Sequence, residues 1–88
     1  MHAIVIGEVQ GVSFRYYTVI RARELNIYGT VRNLPDISKV EVFAEGEKEN
    51  MDVFLEWLHQ GPPGASVDLV EFEWLPDRQR YPDFRTVR

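Results

Sequence analysis

Residues 2–15 read His2-Ala3-Ile4-Val5-Ile6-Gly7-Glu8-Val9-Gln10-Gly11-Val12-Ser13-Phe14-Arg15, and the pattern changes character twice along them. Residues 2–8 are short, apolar and β-branched, which reads as a buried strand. Val9 to Ser13 form a glycine-bearing loop. From Phe14 to Asn26 the spacing turns helical, with Phe14, Thr18, Ala22 and Leu25 at steps of four, four and three on one face. Arg21, Arg23 and Glu24 fall mostly on the other side. Asn26 can take the left-handed conformation that stops a helix, and Gly29 releases the chain into the next element.

Beyond Gly29, Thr30 to Leu34 reads as a strand ended by Pro35-Asp36. Lys39 to Glu45 alternates Val40, Val42 and Ala44 with Glu41, Phe43 and Glu45, a half-buried strand with a large aromatic on its second face. Met51, Phe54, Leu55 and Leu58 match one face of an amphipathic helix, with Glu47 and Glu49 near its favourable N-terminal end. Gly61-Pro62-Pro63-Gly64 stops it. Val67 to Leu75 gives a further strand with one irregularity in its alternation, Pro76 ends it, and Phe84 to Val87 can add a short terminal strand.

The order strand, helix, strand, strand, helix, strand predicts an α+β fold of the split-βαβ, or ferredoxin-like, kind. That is a βαββαβ sandwich: a four-stranded antiparallel sheet with two helices on one face. Its first and second strands run parallel with another strand between them. The loop after the first strand and the end of the second, Arg32 and Asn33, should therefore face each other across two strand spacings, roughly 10 Å.

The 88 residues leave room for one domain, 1–88, and its 44% hydrophobic and 12% aromatic content can supply a core. The lack of cysteine excludes a disulfide framework, a thiolate metal site and a cysteine nucleophile. No apolar run reaches membrane length, and the first residues lack a signal-peptide pattern. The expectation is a cytoplasmic monomer. A net charge of −4 argues against general nucleic-acid binding, which needs a basic face. The charge is uneven, however: residues 1–35 carry four arginines against two glutamates, and residues 36–77 carry two lysines against eleven acids. The glycine-bearing loop lies in the positive third.

That loop ends in an arginine where a helix begins. A helix N-terminus has unpaired N–H groups and a positive dipole end, so the stretch suits a phosphate or carboxylate. Arg15 is mildly unfavourable there unless a ligand supplies negative charge, and its planar fork of donors suits phosphate oxygens. Asn33 either bonds the turn Leu34-Pro35-Asp36 or holds a water, since a carboxamide both donates and accepts. Gly11 serves the backbone; Gln10 and Ser13 are candidate donors or solvent-facing loop residues. His2 and His59 have no ligand spacing, no metal pattern is present, and Tyr16 and Tyr17 read as packing residues.

These residues resemble the acylphosphatase family. The match is to Val9-Gln10-Gly11-Val12-x-Phe14-Arg15, Ala22 and Leu25, Gly29-x-Val31-Arg32-Asn33 and Asp36, then Val40-Glu41-Val42, Ala44-Glu45-Gly46, and Leu58 through Gly61-Pro62 to Ala65 and Val67. The resemblance implies a small enzyme that hydrolyses acyl phosphates to a carboxylate and inorganic phosphate without cofactor or metal. It implies phosphate binding by Gln10, Gly11, Val12, Ser13, Phe14 and Arg15, with Arg15 and Asn33 catalytic, Asn33 by positioning the attacking water. Ser13 stands where many relatives have glycine, Ile37 follows Asp36 where glycine is usual, and Thr30 and Asn26 replace a common tryptophan and glycine. At Ile37 this implies a longer or strained turn. A non-catalytic phosphate-binding module on the same fold is the alternative. An RNA-binding module ranks last, because the central strands lack exposed aromatics with basic neighbours.

Overall fold

A computed structural model describes residues 1–88. It contains β1 (His2–Glu8), α1 (Phe14–Glu24), β2 (Tyr28–Asn33), β3 (Lys39–Glu45), α2 (Lys48–Gln60), β4 (Ser66–Glu73) and β5 (Phe84–Thr86). The strands form one sheet in the order β4-β1-β3-β2-β5. As expected, β1 and β2 point the same way with β3 antiparallel between them. α1 packs on β2 and β5, α2 packs on β4, and the helices touch each other, so both cover the same face.

The four-stranded antiparallel expectation is corrected in one respect: the sheet has five strands and is mixed. β5 pairs parallel with β2, Gly29 opposite Phe84 and Val31 opposite Thr86. A three-residue strand carries no readable period, and nothing local says which edge it will join. Its anchor is Phe84, fully buried against Phe54 with ring centroids 5.9 Å apart. Burying a phenylalanine of this kind contributes about 1.5–3 kcal/mol, enough to hold a short edge strand in place.

The core follows the two periodicities. Ala3, Val5, Val31, Val40, Val42, Ala44 and Val70 face Phe14, Thr18, Ala22, Met51, Phe54 and Leu58. Thr18, buried within this stripe, donates its hydroxyl to the Phe14 carbonyl at 2.7 Å, which removes the cost of an unpaired polar group. Leu25 and Leu55 sit at its margin, half-buried. On the open face of the sheet Phe43 stacks on His2 at 4.5 Å. Asn26 adopts φ 55, the left-handed stop its residue type allows. The irregularity in β4 is a bulge opposite Ile6 and Gly7, across which the partners jump from Leu69 to Val67.

Candidate active site

α1 begins without a cap. Ser13 occupies the N-cap position but makes no side-chain bond, and the first turn contains no acidic residue. The first bond into the helix runs from the Tyr17 N–H to the Ser13 carbonyl at 3.1 Å, which leaves the N–H groups of Phe14, Arg15 and Tyr16 without an intrahelical partner. Those of Gly11, Val12 and Ser13 likewise donate to nothing else in the protein. Gly11 sits at φ 76, and a Cβ built there would meet no atom within 4 Å, so the loop turns tightly while keeping its outer side open. The Arg15 side chain is only partly exposed yet makes no ion pair, although four other arginines of the chain do.

The parallel run of β1 and β2 brings Asn33 to this loop. Arg15 and Asn33 line one open cavity of about 450 Å³, together with Val9, Gly11, Ser13, Phe14, Tyr16 and Thr86. The Asn33 Oδ1 atom is buried and has no donor in the protein. It therefore does not bond the following turn, the alternative that the sequence left open. That turn is held by Asp36 instead, whose Oδ1 accepts from the Ser38 N–H at 3.0 Å and the Ser38 hydroxyl at 2.6 Å. These bonds hold the Asp36 carboxyl below its ordinary range. A larger cavity, about 530 Å³, lies around Tyr28 at the other end of β2. Glu45, Glu47 and Asp77 line it with no cation, so it disfavours an anion.

Not every expected residue lies at the cavity. Gln10 and Val12 are not among its lining residues, and the Gln10 side chain is committed elsewhere: its amide donates to the carbonyls of Leu34, Asp36 and Lys39 at 2.9, 3.1 and 2.8 Å. Only its backbone remains for a ligand. Arg32 points to the opposite face and pairs with Glu41 at 2.6 Å. Tyr16 and Tyr17 are exposed, at 63% and 42%, so the packing expectation fails; both fall off the stripe that Phe14, Thr18 and Ala22 present to the sheet. Tyr16 borders the cavity, braced edge-on by Tyr17 at 5.3 Å. Thr86 was missed, because its approach depends on β5 joining β2.

The sequence model of the acylphosphatase family matches residues 1–86. The chain belongs to the acylphosphatase family. It is 49% identical over 86 residues to an acylphosphatase of Marinobacter nauticus, a match that covers 98% of this chain and 92% of the relative. The fold superposes on the crystal structure of an acylphosphatase from Bacillus subtilis with a TM-score of 0.93 at 31% identity, over 99% of this chain and 96% of that one. An acylphosphatase from Coxiella burnetii gives 0.91 at 41% identity, over 98% and 88%.

The departures from the acylphosphatase pattern take definite shape. Ser13 is left-handed, at φ 61 and ψ 23, a conformation that costs a residue with a Cβ about 1 kcal/mol. Ile37 is not left-handed, and the expected strain there is absent; its side chain is 80% exposed while the Asp36–Ser38 bonds shape the turn.

Proposed function

We propose that this acylphosphatase cleaves the carboxyl–phosphate bond of small acyl phosphates at the cavity between α1 and β2, with Arg15 and the loop N–H groups as the phosphoryl cradle and Asn33 as the residue that orients the attacking water. One observation carries the reading: Asn33, whose carboxamide oxygen has no donor in the protein, lines the same cavity as an uncapped helix N-terminus and an arginine without an ion pair. A buried acceptor without a partner is costly, of order 1–3 kcal/mol, which marks the Asn33 carboxamide as a group kept for something other than the fold.

The chemistry asks little else. Water oxygen bonds to phosphorus as the phosphorus–oxygen bond to the acyl group breaks, and the electron pair leaves on a carboxylate that needs no proton. Negative charge spreads over the phosphoryl oxygens in the transition state, where fixed N–H groups and a guanidinium stabilise it. The water's proton passes to a phosphate oxygen rather than to a protein base. Limbs of the pH–rate profile that stay put when the substrate phosphate pKa is changed would contradict that last point. The reading includes a cytoplasmic monomer acting on a small molecule.

The deciding experiment is hydrolysis of benzoyl phosphate, with inorganic phosphate as a competitive inhibitor, for the wild type, Arg15→Ala and Asn33→Ala. Phosphate binding without turnover would leave a ligand-binding module in place of an enzyme.

A further inference from the structure

We propose that Gln10 is a positioning residue: its side-chain amide ties the turn after Asn33 to the phosphate cradle and so sets where the Asn33 carboxamide stands relative to Arg15. The inference rests on the roles assigned above to Arg15 and Asn33.

Gln10 belongs to the cradle loop by its backbone and to the β2–β3 turn by its side chain. Its Nε2 meets carbonyl oxygens 24, 26 and 29 residues further along the chain, at 2.9, 3.1 and 2.8 Å. Leu34 directly follows Asn33, and its carbonyl accepts from nothing but Gln10. The Lys39 carbonyl also takes the Leu34 N–H at 3.1 Å, so Gln10 braces the bond that closes the turn. The nearest other tie between the end of β1 and this turn is the Gly7 N–H to the Ser38 carbonyl, at 2.9 Å, on the far side of the turn from Asn33. A carboxamide suits this place because it brings two N–H donors without charge. A water-orienting group displaced by about 1 Å loses on the order of 100-fold in rate while phosphate affinity, set by the other half of the site, is untouched.

The test compares Gln10→Ala, Asn33→Ala and the double variant with benzoyl phosphate as substrate and inorganic phosphate as inhibitor. The expected result is a kcat lower by about 10- to 100-fold for Gln10→Ala, with the phosphate inhibition constant within about threefold of wild type. The double variant should be no slower than Asn33→Ala alone, because Gln10 acts through Asn33. An unchanged kcat for Gln10→Ala, or losses that multiply in the double variant, overturns the proposal. An unchanged kcat for Asn33→Ala instead strikes the reading of the site itself.

Gln10→Glu gives an independent readout if Gln10→Ala folds poorly. An ionised carboxyl at this place faces three carbonyl oxygens with no proton to donate, whereas the protonated form can bond one of them. Its kcat relative to wild type should therefore rise as pH falls. A ratio that stays flat across the range overturns the proposal.

Discussion

Arg32 and Asn33 are neighbours in β2 that the strand sends to opposite faces of the sheet. Arg32 reaches Glu41 at 2.6 Å on the open side, and Asn33 lines the cavity beside Arg15. Two arginines thus lie near the same edge in sequence terms, but only one borders the cavity. Arg15→Ala should lose both phosphate affinity and turnover. Removing charge-assisted bonds of about 1.5–3 kcal/mol each lowers kcat/KM by roughly 100-fold or more. Arg32→Ala should leave hydrolysis within about twofold of wild type, since it touches only a surface ion pair. Steady-state kinetics on the two variants side by side check this, and equal losses would mean that the cavity is not where the reaction occurs.

Asn33 should trade activity against stability. Its Oδ1 is buried with no protein donor, so Asn33→Ala removes a polar atom that the fold does not satisfy. The expected outcome is a large fall in kcat with a small change in KM, together with a melting temperature equal to or above that of the wild type. The gain is at most about 1 kcal/mol. A variant that melts markedly lower would show that the carboxamide serves the turn after all.

Ser13 makes the reverse case, a strained residue whose side chain has no assigned task. At φ 61 its Cβ is a burden that glycine lacks, offset in part by glycine's greater freedom in the unfolded chain. Ser13→Gly should raise stability by up to about 1 kcal/mol in chemical denaturation and keep hydrolysis close to wild type, because the proposed cradle would call on the N–H at this position and not on the hydroxyl. A loss of activity without a loss of stability would assign the hydroxyl a role in binding.

The parts of this molecule legible in its sequence are those written in local periodicity. The helix stripe of Phe14, Thr18 and Ala22, the alternation of Val40 and Val42, and the stop at Gly61-Pro62 all rest on neighbours within a turn or two. The parallel run of β1 and β2, which follows from the order of the elements, brings the Arg15 loop to the end of β2 that carries Asn33. What escaped depends on long-range docking. Phe84 reaches its place only once α2 and β2 have made a socket for it, so neither the mixed sheet nor Thr86 at the cavity had a local signal. The Gln10 side chain is equally opaque: a glutamine in this loop reads as a ligand donor or as a solvent-facing residue, and only the folded turn of residues 34–39 offers the carbonyls that claim it.

Glu41 makes the acid stability of the fold testable from one carboxyl. Its side chain is 13% exposed, and burial pushes its pKa up, but bonds from His2 at 2.8 Å and Arg32 at 2.6 Å outweigh that and hold it below the ordinary carboxylate range. A group depressed on folding contributes stability above its unfolded pKa, about 4.3 for glutamate, and loses it as pH falls through the lower folded value. Wild type should therefore exceed Glu41→Gln in stability at neutral pH by less than about 1 kcal/mol, because Arg32 is itself 44% exposed and the pair is partly screened. That gap should close at the acid end. Asp36 and Asp83 are depressed too, but they are present in both proteins and cancel from the difference. Melting curves of the two proteins from about pH 6 down to about pH 3 measure the gap. If it stays constant, the Glu41 carboxylate contributes nothing through its charge, and the His2 and Arg32 contacts matter only as packing.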